Sequence, residues 1–467
     1  MRIGYGRFGF GLVGLTIALM LGGCATIHNL PLNVPTSNPF GPTPADAAGS
    51  VTSGGDAIGL AFSGGGTRAA AFSYGVLKAL ARTPSPARDH RDLLEHVGMV
   101  TGVSGGSVTA AYYGLRGRAA LSDFRQRFLT QDLMSQLDTN VDLINIGRAL
   151  SGGINTDTRL RDWLNRHLFG GATFGDLLAR KRPWVLINAT DVYSRTPFLF
   201  TPQTFAAFCS DVQKYPLAAA VAASAAVPGA FAPVVIKTYP GQCSTPLPSW
   251  VTRALREPDA SPLLSAYATA LARDHTGAVK YIKLFDGGLV DNYGLSGLTI
   301  ARESVQKPYA PLRPQEAVNM RRLLFLVVDA GRGPEGRWAQ TLEGPSGAQL
   351  ISAVTDAAIG ANTQSSYTAF QATMKDWQDQ LVRWRCGLKP AQVARLRRGH
   401  HSPWRCRDVK IIVGRIAFDQ LGSVRARQLN AIPTTFSLPA QSVDALTQAA
   451  GDALRINPAY KEFLKEM

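Results

Sequence analysis

Gly102-Val103-Ser104-Gly105-Gly106 follows a short apolar run, residues 97–103, and precedes a stretch of small residues with helical composition. A serine on the sharp turn between a strand and a helix exposes its hydroxyl. Its neighbours two positions away must be small so that strand and helix can approach. The five residues alone also fit an ordinary Gly/Ser turn, so the flanking chain has to decide. Upstream, residues 57–62 form an apolar run ending in Ser63-Gly64-Gly65-Gly66-Thr67-Arg68, and residues 69–80 have helical composition. Downstream, residues 184–189, 281–285 and 323–329 read as strands, and residues 217–226 as an Ala-rich helix stopped by Pro228. The run at 323–329 is apolar throughout, as expected of a strand covered on both faces. This alternation predicts an α/β fold, a parallel sheet covered by helices. In such sheets, sites gather at the carboxyl ends of the strands. The Gly-rich loop, Ser104 and Asp286 all fall at predicted strand ends.

Glycines in Gly64-Gly65-Gly66 leave the backbone bare, so that N–H groups can converge on an anion at a helix start. A phosphate-binding loop would need Gly-Lys-Ser/Thr, which is absent. A dinucleotide fingerprint would read Gly64, Gly66 and Ala69, but no strand-terminal acid appears about 20 residues further on. An oxyanion hole or a plain tight strand–helix turn remains; the hole needs a nucleophile, which Ser104 supplies. Asp286-Gly287-Gly288 ends a predicted strand. A carboxylate there can meet a serine on a neighbouring strand end. An Asp-Gly turn is its plainer meaning.

Taken in order, these three motifs resemble the patatin-like phospholipases. Further similar stretches are Thr173-Phe174-Gly175-Asp176-Leu177, Asn188-Ala189-Thr190-Asp191 and Ala223-Ser224-Ala225-Ala226-Val227-Pro228-Gly229. The resemblance covers residues 57–330. It implies a patatin-like three-layer α/β/α fold with a mainly parallel central sheet. After residue 331 the pattern itself changes to a C-terminal α/β extension, with helical stretches at 348–384 and 443–454 and a strand candidate at 410–416. That extension, residues 331–467, is expected as helices packed on the hydrolase core. The resemblance further implies Ser104 as nucleophile, Asp286 as its partner, and Gly64, Gly65 and Gly66 as the oxyanion hole. Arg68 would order the loop or attract anionic lipid. The implied activity is a phospholipase A or lysophospholipase acting on phospholipid or lysophospholipid esters through a Ser–Asp dyad. One departure is Ala69, where the family usually carries Gly. No cofactor or metal is implied.

Two rival readings stay open. An ordinary α/β-hydrolase would use a Ser–Asp–His triad, for which only His400 and His401 follow Asp286. A non-catalytic outer-membrane lipoprotein could carry the same fold.

The amino terminus has Arg2 and Arg7 before an apolar stretch, residues 8–21, and then Gly22-Gly23-Cys24. This resembles the lipobox of bacterial lipoproteins, which implies a signal peptide over residues 1–23 and acylation of Cys24. Ala25 rather than Asp at the next position points to the outer membrane, facing the periplasm or the cell surface. Residues 24–56, rich in Pro, Gly, Ser and Thr, are expected as a flexible tether. With Cys24 set apart, Cys209, Cys243, Cys386 and Cys406 remain, and neighbours in sequence are the simplest pairs.

With 45% hydrophobic and 18% charged residues, a disordered chain is excluded. A formal charge of +16 favours an anionic partner. For a secreted chain that is a membrane surface rather than nucleic acid. The strongest basic cluster, residues 383–410, has Trp384 and Trp404 beside Cys386 and Cys406. It reads either as a disulfide-closed loop at a lipid interface or as a solvated run of charge.

Overall fold

The computed structural model describes residues 29–39, 55–87, 90–137, 148, 153–180, 182–333, 337–397 and 403–467. Cys24 and the expected signal segment, residues 40–54, Arg398, His400 and His401 lie outside them.

Among the described residues the strands are β1 (Asp56–Phe62), β2 (Val97–Val103), β3 (Gly153–Asn155), β4 (Trp184–Asp191), β5 (Thr196–Leu199), β6 (Gly229–Phe231), β7 (Val234–Lys237), β8 (Tyr281–Asp286), β9 (Arg322–Asp329) and β10 (Lys410–Ala417). β3 and β6 pair with each other. The rest form one sheet in the order β10-β9-β1-β2-β4-β8-β7, with β5 added on β4. The half from β10 to β4 is parallel; β5, β8 and β7 join antiparallel.

Both faces of the central strands are apolar. Along β9, Leu324, Leu326 and Val328 point into one core, and Leu323, Phe325 and Val327 into another. The strand period of two therefore serves two helical layers, as the expected three-layer fold requires. The first layer contains α1 (Gly66–Ala81), α2 (Gly105–Arg116) and α3 (Leu217–Ser224). The second is built around α4 (Gly347–Cys386). A later helix, α5 (Ala440–Ile456), returns to the first layer, where Val443, Leu446, Ala449 and Ala453 are fully buried with the residues of α1.

Two expectations about the chain's organisation are corrected. Residues 331–467 are not only helices laid on a finished core. They supply β10, which pairs with β9 in parallel from Lys410 opposite Arg322 to Ala417 opposite Asp329. β9 is apolar on both faces and carries backbone groups on both edges. β1 satisfies one edge, and β10 must satisfy the other.

The described part of the expected tether is docked rather than free. Asn33 is buried. Its Oδ1 accepts from Lys237 N at 2.9 Å and its Nδ2 donates to Lys237 O at 2.8 Å. Asn29 likewise donates to Ala232 O and Pro233 O. β7 is the edge of the sheet, and these side-chain amides cap backbone groups that the edge would leave unpaired.

Disulfides join Cys209 to Cys243 and Cys386 to Cys406. The Cys386–Cys406 segment is closed, but its tryptophans are turned to structural use. Trp404 donates Nε1–H to Val318 O and lies over the buried Arg385 guanidinium, and Trp384 packs on Tyr309. The segment sits beside the amino ends of β9 and β10, where Arg321 donates to Pro403 O. Ser104 follows the carboxyl end of β2, so roughly 23 Å of strand separates the two, at about 3.3 Å per residue. Among the described residues, no helix is long and apolar enough to cross a membrane.

Candidate active site

Ser104 stands between β2 and α2 with φ 51° and ψ −124°. A positive φ is uncommon for a residue with a side chain, and here it is the sharp turn that the motif demands. A Cβ on Gly105 would lie 1.9 Å from the carbonyl oxygen of Gly66, so only glycine lets the elbow meet the Gly-rich loop. The starts of α1 and α2 thus converge beside Ser104, and both helix dipoles favour negative charge there.

Asp286 reaches Ser104 by a route that motif order did not reveal. β8 runs antiparallel to β4, with Asp286 opposite Ala189. β4 in turn pairs with β2, Asn188 opposite Val103. The strand therefore descends from beyond the sheet and delivers its last residue at the level of the elbow. The Ser104 side chain faces the Asp286 carboxylate and favours its ionised form. Gly288 N–H donates to Asp286 Oδ1 at 2.8 Å. Burial pushes the Asp286 carboxyl up to about 6, against the opposing effect of Gly288 N–H and Ser104. Among the described residues, neither of these partners is an imidazole.

The three loop glycines are not equivalent. Gly64 N–H is already donated to Asn292 O at 3.1 Å. Among the described residues, Gly65 and Gly66 N–H take no acceptor, so the candidate hole narrows to these two. Gly66 has φ +60°, and a Cβ there would lie 2.5 Å from Thr435 O. Thr67 N–H donates to that same oxygen at 2.8 Å. Arg68 is 1% exposed and donates to Ile432 O at 2.9 Å. It orders the loop from below by gripping the C-terminal segment, and it is not a solvated cation available to lipid.

Further residues complete the frame. Ser104 N–H donates to Ser224 Oγ at 2.9 Å, and Ser224 Oγ donates to Asn188 O at 2.6 Å. The end of α3 and the residues just after it also accept from the Asp286-Gly287-Gly288 motif: Gly287 N–H donates to Ser224 O and Asp286 N–H to Ala226 O. Thr190 Oγ1 donates to Asp286 O at 2.9 Å. Ser224, Asn188 and Thr190 lie in stretches that the resemblance singled out without giving them roles. Asn292 carried no signal in the sequence.

The family model of the patatin-like phospholipases matches residues 60–299, just over half of the chain. The chain belongs to the patatin-like phospholipase family. A patatin-like phospholipase is a lipid acyl hydrolase, and the elbow, the Gly-rich loop and the strand bearing Asp286 all lie within the matched span. Among solved structures, human GIVD cytosolic phospholipase A2 is similar at 12% identity and a TM-score of 0.42. That alignment covers 100% of this patatin-like chain and 66% of the human one, a likeness too distant to bear on function. No curated protein sequence matches.

Proposed function

We propose that this patatin-like protein hydrolyses carboxylic esters of phospholipid or lysophospholipid through a Ser104–Asp286 dyad. The observation that carries the reading is the placement of Ser104 against a buried carboxylate, beside two N–H groups that take no acceptor among the described residues. A serine hydroxyl is a weak nucleophile and needs a base within hydrogen-bond reach. An Asp286 carboxyl raised to about 6 is ionised at neutral pH yet more basic than an ordinary carboxylate.

Ser104 Oγ attacks the acyl carbonyl as its proton passes to Asp286. The tetrahedral oxyanion is held by Gly65 and Gly66 N–H. The proton then goes to the departing alcohol oxygen, releasing the lysophospholipid or, from a lysophospholipid, the glycerophosphodiester. Water, losing its proton to Asp286, attacks the acyl-enzyme. Collapse frees the fatty acid and returns the proton to Ser104.

The proposed setting is the bacterial envelope, with Cys24 acylated after removal of residues 1–23, probing the outer membrane from the periplasmic or outer face. Product analysis of wild type and Ser104→Ala on mixed phospholipids tests the reaction: wild type should release fatty acid and the variant none. Equal release would discard it. Cys24→Ser should leave the protein out of the membrane fraction; unchanged fractionation would discard the anchor.

A further inference from the structure

α4 is 40 residues long, and only its second half belongs to the body. Phe370, Met374, Trp377 and Leu381 are buried against the sheet, with Phe370 on Phe325. Above them, Asn362 Nδ2 donates to Leu289 O, three residues beyond Asp286. Residue 362 therefore marks the level of the catalytic end. The turns before it, residues 347–361, continue past the sheet for roughly 22 Å at 1.5 Å per residue.

Among the described residues of α4, none before Phe370 is buried. The exposed side chains on this arm are apolar: Leu350 is 50% exposed, Val354 is 61% exposed, and Leu342 in the preceding loop is 101% exposed. Leu350 and Val354 are one turn apart and share a face. From Gly344 to Met374 the sequence holds a single charged residue, Asp356, in a chain whose formal charge is +16. A surface for water or for a charged partner would not be so bare.

We propose that this arm docks the catalytic end onto the uncharged acyl region of a lipid surface, with Leu342, Leu350 and Val354 as the inserted side chains. The inference rests on the lipid-hydrolase reading for its purpose, because the arm rises from the end of the sheet at which Ser104 lies. The basic segment at residues 383–410 lies instead at the opposite end of the sheet from Ser104.

The test places a reporter on the arm of the full chain. In a Cys24→Ala background the other cysteines are paired, so Leu350→Cys or Val354→Cys gives a free thiol for a polarity-sensitive dye. Phosphatidylcholine vesicles should shift the emission to the blue at both positions, and the shift should persist at about 0.5 M salt, where charge attraction is screened. Dye at Lys389→Cys, on the basic segment, should not shift. Absence of a shift at 350 and 354, or an equal shift at 389, overturns the proposal. So does a shift without vesicles that grows with protein concentration, which would assign the arm to a second copy of the chain. Ser104→Ala should shift like the parent. Shift without lipid product in the parent would sink the hydrolase reading alone, and product without shift would sink the arm alone.

Discussion

The backbone N–H of Ser104 is held by the side chain of Ser224, at 2.9 Å. Because Ser224 Oγ also donates to Asn188 O, the elbow is tied through one hydroxyl to the strand beside it. Ser224→Ala leaves a buried N–H and a buried carbonyl without partners, at a cost of about 1–3 kcal/mol. Felt at the elbow, that is roughly ten- to hundredfold in kcat, with KM little changed. A loss of thermal stability with kcat unchanged for the folded protein would reduce Ser224 to a packing residue.

Ser104→Ala and Asp286→Asn should each abolish turnover, while replacing His400 and His401 together should leave most of it. Loss of activity in the histidine double variant, with its circular dichroism unchanged, would restore the triad.

The pH dependence follows from Asp286. The base must be ionised, so kcat/KM should fall as pH drops below about 6 and be level above it. For stability the sign is the reverse of an ordinary ion-paired acid. The folded value lies above the unfolded one, so the native state keeps the proton longer and loses stability as pH rises between the two. Asp286→Asn should therefore melt no lower than wild type at about pH 8, well above the folded value. A profile with no acid limb, or a variant that melts much lower, would contradict the buried-base assignment.

Gly105→Ala should be far worse than its single methyl suggests. The added Cβ would meet Gly66 O at 1.9 Å, and neither backbone can yield without moving the elbow or the loop. Overpacking of this kind costs about 1–3 kcal/mol or more. The measured outcome should be a large fall in melting temperature with no activity in the folded fraction.

Reversing charge at Arg395, Arg405 and Arg407 should leave hydrolysis of dispersed lipid within about twofold, because these exposed residues sit at the far end of the sheet and surface charges act weakly over such distances. A larger loss would return the basic segment to the catalytic surface.

The parallel half of the fold was legible because each strand there is a compact apolar run followed by glycines or a helix start. β2 spans residues 97–103 as read, and β1, β9 and β10 differ from their readings only at the ends. The antiparallel half was not. β5 and β7 are four residues each, too short to show a period, and the direction of β8 leaves no mark on its composition. Ser104 and Asp286 were legible because their motifs carry the geometry. The partners of the loop were not. Asn292 and Thr435 act through backbone carbonyls, which any residue possesses, so no residue type announces them.

The contacts of Thr435 and Ile432 with the Gly-rich loop also bear on when the protein becomes able to act. Residues 60–299 hold every side chain of the proposed dyad and hole, yet the loop is seated on carbonyls that follow β10. During synthesis those carbonyls leave the ribosome more than a hundred residues after Asp286. On the proposed mechanism a nascent chain therefore carries its nucleophile before the seat of its Gly-rich loop has been made, and hydrolytic competence waits for the segment that follows β10.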